Sequence, residues 1–208
     1  MNKSQSDKTF IFLLLFYTLL LAMGLIITIG GSPGSGKSTI GRMLATRFGI
    51  PFFSMGEVRR QYALEHGMTL AELNARAEHD VTSDHLVDKF QEKLPEKYDS
   101  FIVDSRLGFH FLTQSIKIYI KVDRKVAAER IFPLRRDSEH WHTVEEGITA
   151  LQARESSDKL RYMQYYGLDP ADTSHYDIIL DSTKTNPLEM LSQVVDFLKK
   201  RNVEVPEA

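Results

Sequence analysis

Short apolar runs alternate with amphipathic helical stretches along most of this chain, and a glycine-rich turn joins the first run to the first helix. That alternation predicts a single α/β domain on a five-stranded parallel sheet, with helices on both faces. The 208 residues, 42% hydrophobic and 26% charged, are enough for one substantial core. No internal repeat or low-complexity linker interrupts them.

The first strand is "LIITI", residues 25–29, and "STIGRMLATRFG" follows as an amphipathic helix closed by Gly49. "IPFFS" reads as a second short strand. Residues 55–94 read as helical throughout, in three pieces: "GEVRRQYALEHG", "TLAELNARAEHD" with Thr69 and Glu72 as a capping box, and "TSDHLVDKFQEKL". "SFIVD" and "IKIYIKV" are the third and fourth strands. "RKVAAERIF" is helical and breaks at Pro133. After the polar "PLRRDSEHWH", a capping box of Thr143 and Glu146 opens one long helix to Tyr166, which Gly167 ends. "YDIILD" is the last strand, and Pro187 occupies the first turn of the last helix.

Ahead of this domain lies a leader, residues 1–22. The uncharged run from Phe10 to Ile29 matches a membrane span in length, but "LIITI" is needed as a strand. About 16 apolar residues then remain, short of the roughly 20 a spanning helix requires. Met23, immediately before the strand, is the favoured translation start. A membrane anchor facing the cytoplasm and an apolar helix docked on the domain are the alternatives. The folded part is expected to run from 23 to 208 in the cytoplasm.

Composition excludes several functions. Lys and Arg number 26 against 28 Asp and Glu, so no basic field points to nucleic acid, and nothing implies a protein partner. The absence of cysteine removes disulfides, thiolate zinc sites and thiol nucleophiles together. His66, His79, His85, His110, His140, His142 and His175 show no metal-ligand spacing.

The turn itself, "GSPGSGKS", matches GxxxxGK[ST] between a strand and a helix. Gly31, Gly34 and Gly36 let the backbone of Ser32, Pro33 and Ser35 curl so that N–H groups point at phosphate oxygens. Lys37 is expected on the β and γ phosphates of a nucleoside triphosphate, Ser38 on Mg²⁺, and Thr39 in the first helical turn. Neither DxxG nor NKxD, the marks of a GTPase switch, occurs. Phosphoryl transfer from ATP to a small acceptor is what remains. A membrane-tethered ATP-binding regulator is the rival reading.

Other charged residues fit that chemistry. Asp104 ends "FIVD" at the carboxyl edge of the sheet, where it can hold a water of the Mg²⁺ shell, and Arg106 is placed to reach an acceptor phosphate. Arg154 and Arg161 are seven residues apart on one helix face, with Asp158 between them. They are expected to be mobile arginines closing over the transferring phosphoryl group, with Arg130, Arg135 and Arg136 as weaker candidates.

These residues together resemble the nucleoside monophosphate kinases, and among them the short cytidylate kinases of archaeal type, from Gly24 onward. "SMGEVRRQYALEHG" is similar to the family's S-x-G-[DE]-x-x-R opening of the monophosphate-binding helices. The resemblance implies acceptor contacts from Ser54, Glu57 and Arg60, with Arg60 on the phosphate. "IVDSRLG" resembles the strand whose acid serves the metal and whose arginine serves the acceptor. "ARESSDKLRYMQYYGLDPADTSHYDIILDST" resembles the lid helix and the strand after it. The implied activity is ATP-dependent phosphorylation of CMP or dCMP with Mg²⁺, with UMP, AMP or another small metabolite as alternative acceptors. A monophosphate-binding insertion at 55–95 and a lid at 133–160 follow from the same likeness.

Overall fold

β-Branched and aromatic residues dominate the five short strands: β1 (Ile26–Gly31), β2 (Phe52–Ser54), β3 (Phe101–Asp104), β4 (Ile116–Lys121) and β5 (Ile178–Asp181). In the computed structural model, which describes residues 24–134 and 141–203, they form one sheet in the order β2-β3-β1-β4-β5. Every pairing is parallel, as expected. β1 is central and pairs Ile26 with Phe101 on one side and Ile27 with Ile116 on the other.

Side chains alternate across β1, and each face has its own core. Ile27 and Ile29 join Ile40, Leu44 and Phe48 of α1 (Lys37–Phe48) and Met190, Val194 and Leu198 of α8 (Pro187–Lys200). Ile26 faces the opposite way with Phe101 and Val103, toward Met55 and Val58 of α2 (Met55–Glu65) and Val87 of α4 (Thr82–Glu92). Between these two helices runs α3 (Leu70–Ala77). The short α5 (Gly108–Phe111), which the sequence pattern did not suggest, follows β3. α6 (Arg124–Ile131) packs against the front of α7 (Val144–Tyr166) through Ala127, Ala128, Ile131 and Leu151.

The capping signals mark the helix ends. Thr69 and Glu72 form the reciprocal box at α3, and Asn186 and Glu189 form another at α8, where Pro187 occupies the first turn. Such a cap stabilises a helix by about 1 kcal/mol. At α7 the box is half made: Thr143 accepts from the Glu146 N–H at 3.1 Å, but Glu146 reaches back to the N–H of His142 instead. Pro133 does not stop α6 directly. The helix ends at Ile131 and Pro133 sits inside a 3₁₀ turn, Phe132–Leu134. Among the described residues no helix is long and apolar enough to cross a membrane. The leader and the arginines at 135 and 136 lie outside the described residues.

Candidate active site

The end of β1 has a conformation only glycine tolerates. Gly31 has φ +131°, and a Cβ built there would stand 2.0 Å from the carbonyl oxygen of Ile120 on β4. Gly31→Ala is therefore expected to destabilise the protein by more than ~2 kcal/mol in urea unfolding, because both strain and backbone contact oppose it. Gly34 (φ +74°) lies against Ala127, and Gly36 (φ +87°) opens α1 without a side-chain cap. The first-turn N–H groups of α1 consequently remain available to an anion.

Lys37 arches back over this loop, its Nζ donating to the carbonyls of Gly31 at 2.9 Å and Ser32 at 2.7 Å. Burial holds its ammonium well below the usual lysine pKa, helped by Arg106 and Arg154 and opposed by Asp104 and Asp158. Ser38 Oγ donates to Asp104 Oδ2 at 2.5 Å, and Ser54 Oγ donates to Asp104 Oδ1 at 2.8 Å. Parallel register sets this geometry, since Asp104 lies beside Ile29 of β1 and Ser54 of β2. A hydroxyl and a carboxylate at a phosphate loop are the hard oxygen donors that Mg²⁺ takes alongside nucleotide phosphates, so Ser38 and Asp104 fit the ion. Among the described residues no cluster of three His, Cys, Asp or Glu competes for it.

One cleft of about 430 Å³ joins these groups to the helical side of the molecule. Pro33, Gly34, Gly36, Lys37, Ser38 and Thr39 line one part, and Ser54, Arg60, Asp104, Arg106, Arg130 and Arg154 are among the residues lining the rest. Arg60 comes from α2, its guanidinium lying over the first turn, 3.6 Å from where a Cβ on Gly56 would stand. Ser54 has a second duty as the N-cap of α2, accepting from the Glu57 N–H at 3.3 Å. Arg130 is tied to Ser182 after β5, at 2.6 Å to its carbonyl.

Two expected site residues stand elsewhere. Glu57 turns outward, where its half-exposed carboxylate pairs with Arg42 at 2.6 Å, and it is not among the residues lining the cleft. Arg161, expected to be mobile, is fully buried and held between two carboxylates. Its Nη2 meets Asp158 Oδ1 at 2.5 Å and its Nη1 meets Asp84 Oδ2 at 2.5 Å. The network extends both ways: Arg59 Nη1 donates to Asp84 at 2.6 Å, and Arg106 Nε donates to Asp158 at 2.9 Å. Arg106 Nη1 also donates to the Gly31 carbonyl, which links α4, α7 and the glycine loop through buried charges. Burial would raise the Asp158 carboxyl, but Arg106, Arg161 and Arg154 outweigh it and hold it at about 2. Arg154 and Arg161 share a helix face as the spacing implied, yet only Arg154 reaches the cleft. Arg59, Asn74 and Asp84 escaped the sequence reading. Only the placement of Asp158 three residues before Arg161 hinted at an ion pair there.

A central parallel strand feeding a glycine loop and helix, with lysine, hydroxyl, carboxylate and arginines around one cleft, defines a P-loop phosphotransferase. Solved structures share the architecture: an uncharacterized protein from Eubacterium ventriosum (TM-score 0.64, 18% identity, 85% of this chain and 99% of that one) and a shikimate kinase from Acinetobacter baumannii (0.58, 14%, 89% and 98%). Sequence comparison is more specific. The model of the cytidylate kinase-like family matches residues 26–184. A cytidylate kinase of Methanosarcina barkeri is 38% identical, covering 83% of this chain and 93% of its own, and one of Methanocella arvoryzae is 33% identical, covering 85% and 99%. The chain belongs to the cytidylate kinase-like family.

Proposed function

We propose that the protein transfers the γ-phosphoryl group of ATP to CMP or dCMP, giving ADP and the corresponding diphosphate. The observation that carries this is one cleft with a phosphate loop at one end and Arg60, Arg106 and Arg154 converging from three other elements. A nucleoside monophosphate has a second phosphate pKa near 6 and is mainly dianionic at pH 7. It needs no general base, only alignment and charge neutralisation.

Lys37 and the loop N–H groups hold the donor phosphates, and Arg60 orients the acceptor phosphate. Arg154 neutralises charge on the group in transit. When bound by Ser38 and Asp104, Mg²⁺ supplies further charge neutralisation across the donor phosphates. Residues 55–95 serve as the acceptor-binding insertion and 133–160 as a lid. The reading places the protein in the cytoplasm, where both substrates occur.

The test is ADP release by protein beginning at Met23 against a panel of monophosphates. CMP or dCMP is expected to give the highest kcat/KM, whereas ADP release indifferent to every acceptor would sink the reading. Arg60→Ala is expected to raise the CMP KM roughly 10- to 100-fold, the loss of one charge-assisted contact, with the ATP KM changed less than about twofold.

A further inference from the structure

Phosphoryl transfer leaves one part of the cleft wall without a role. Asp84, Asp104 and Asp158 line the cleft, each engaged by guanidinium groups or hydroxyls as described. Asp88 lines it too, one turn beyond Asp84 on α4, but its hydrogen-bond partners are neutral. Its Oδ2 accepts from the Tyr166 hydroxyl of α7, and its Oδ1 accepts from Gln91 Nε2 at 3.2 Å. Arg59, on the other side of Asp84, also lines the cleft and is only 8% exposed. Its Nε and Nη1 serve Asn74 and Asp84, while Nη2 has no partner among the described residues. Val87 supplies apolar surface in the same wall.

The lining thus includes Arg59, whose unpartnered Nη2 is buried just behind the surface, together with the Asp88 carboxylate and the apolar Val87, residue types by which a site orients a flat polar ring. A cytosine ring presents acceptors at O2 and N3 and a donor at its exocyclic amine, whereas uracil has N3–H and an oxo group at the last two positions. We infer that Arg59 and Asp88 read the base of the acceptor, Arg59 Nη2 donating to its O2 and N3 edge and Asp88 accepting from the amine. Uracil is refused because its oxo group would face a carboxylate. The inference rests on the kinase reading proposed above and assigns its base specificity.

Asp88 also makes that specificity depend on pH. Burial pushes its carboxyl up to about 6; the Tyr166 hydroxyl opposes this, Asp84 and Glu92 add to it, and His85 lowers it. Arg59 and Arg60 of α2 face the same cleft, and His110 of α5 lies against the Tyr166 ring. Above about pH 6 the group is an acceptor suited to the amine. Below it, the protonated acid donates, which suits an oxo group instead.

The experiment is kcat/KM for CMP and for UMP from pH 5 to 8 at saturating ATP, with wild-type protein and Asp88→Asn. The CMP to UMP ratio cancels the phosphate titration common to both acceptors, and kcat/KM reports the free enzyme. The wild-type ratio is expected to fall about tenfold or more from pH 8 to pH 5. Asp88→Asn is expected to lower the ratio about tenfold or more at pH 8 and to flatten its pH dependence, since the amide does not titrate and its N–H₂ can donate to the oxo group of uracil as readily as its oxygen accepts from the amine. A wild-type ratio constant with pH, or an Asp88→Asn ratio equal to wild type while CMP remains a good substrate, overturns the base-reading role and leaves the kinase reading standing. Rejection of both pyrimidine acceptors by wild-type protein overturns the two together. Should Asp88→Asn not fold, the wild-type profile decides alone.

Discussion

Lys37→Ala is expected to lower kcat for transfer from ATP to CMP by about 10³-fold or more and to leave the melting temperature nearly unchanged. The catalytic loss follows from removing a preorganised cation aimed at charge that develops in the transition state. The small thermal effect follows from how the residue is held. Its ammonium gains two carbonyl contacts inside the loop, but burial and the neighbouring Arg106 and Arg154 disfavour its charge, so the two contributions oppose each other. Lys37→Arg is not expected to restore activity, because a planar fork cannot occupy the position of a compact ammonium between the Gly31 and Ser32 carbonyls. Steady-state kinetics beside a thermal melt settles the matter. A kcat within about tenfold of wild type would remove the loop from the chemistry.

Arg154 and Arg161 are expected to fail in different ways. Arg154→Ala should fold normally and lose about 10²-fold in kcat, the scale of one lost donor to the transferring group. Arg161→Met should instead lower stability by about 3–5 kcal/mol, since it leaves Asp84 and Asp158 buried with fewer cations between them. Urea unfolding separates the two cases. Arg106 does not compensate at Asp158: it engages Oδ2, and the Oδ1 that faces Arg161 lies in a residue only 6% exposed, where solvent replaces a lost cation poorly. An Arg161→Met protein as stable as wild type but deficient in kcat would return Arg161 to the phosphate.

The difference between these arginines shows where the sequence stops speaking. The strands, the glycine loop and the capping boxes are written in neighbouring residues, so Gly31 to Ser38 and Thr69 with Glu72 could be read directly. Ion pairing across the fold is not local. Arg161 meets Asp84 across 77 positions and Arg106 meets Asp158 across 52, and no periodicity announces either contact. Glu57 was misplaced for a related reason. A helical position near the acceptor side does not say which way a flexible side chain turns, and Arg42 on the neighbouring helix draws it outward. Asp88 was invisible because its environment, made by Tyr166 and the burial of α4, exists only once α7 has packed.

The central position of β1 has a consequence for the newborn chain. Its neighbours in the sheet are β3 and β4, so Ile26 waits for Phe101 and Ile27 waits for Ile116. At ribosomal speeds of about 5–20 residues per second, the glycine loop emerges several seconds before the first strand that can hold it in place. For that interval a strand buried along its whole length in the finished fold has no sheet to join, and helices α1 to α4 can form only as local structure. A ribosome stalled before residue 100 would therefore carry the whole GxxxxGK[ST] motif and bind no nucleotide.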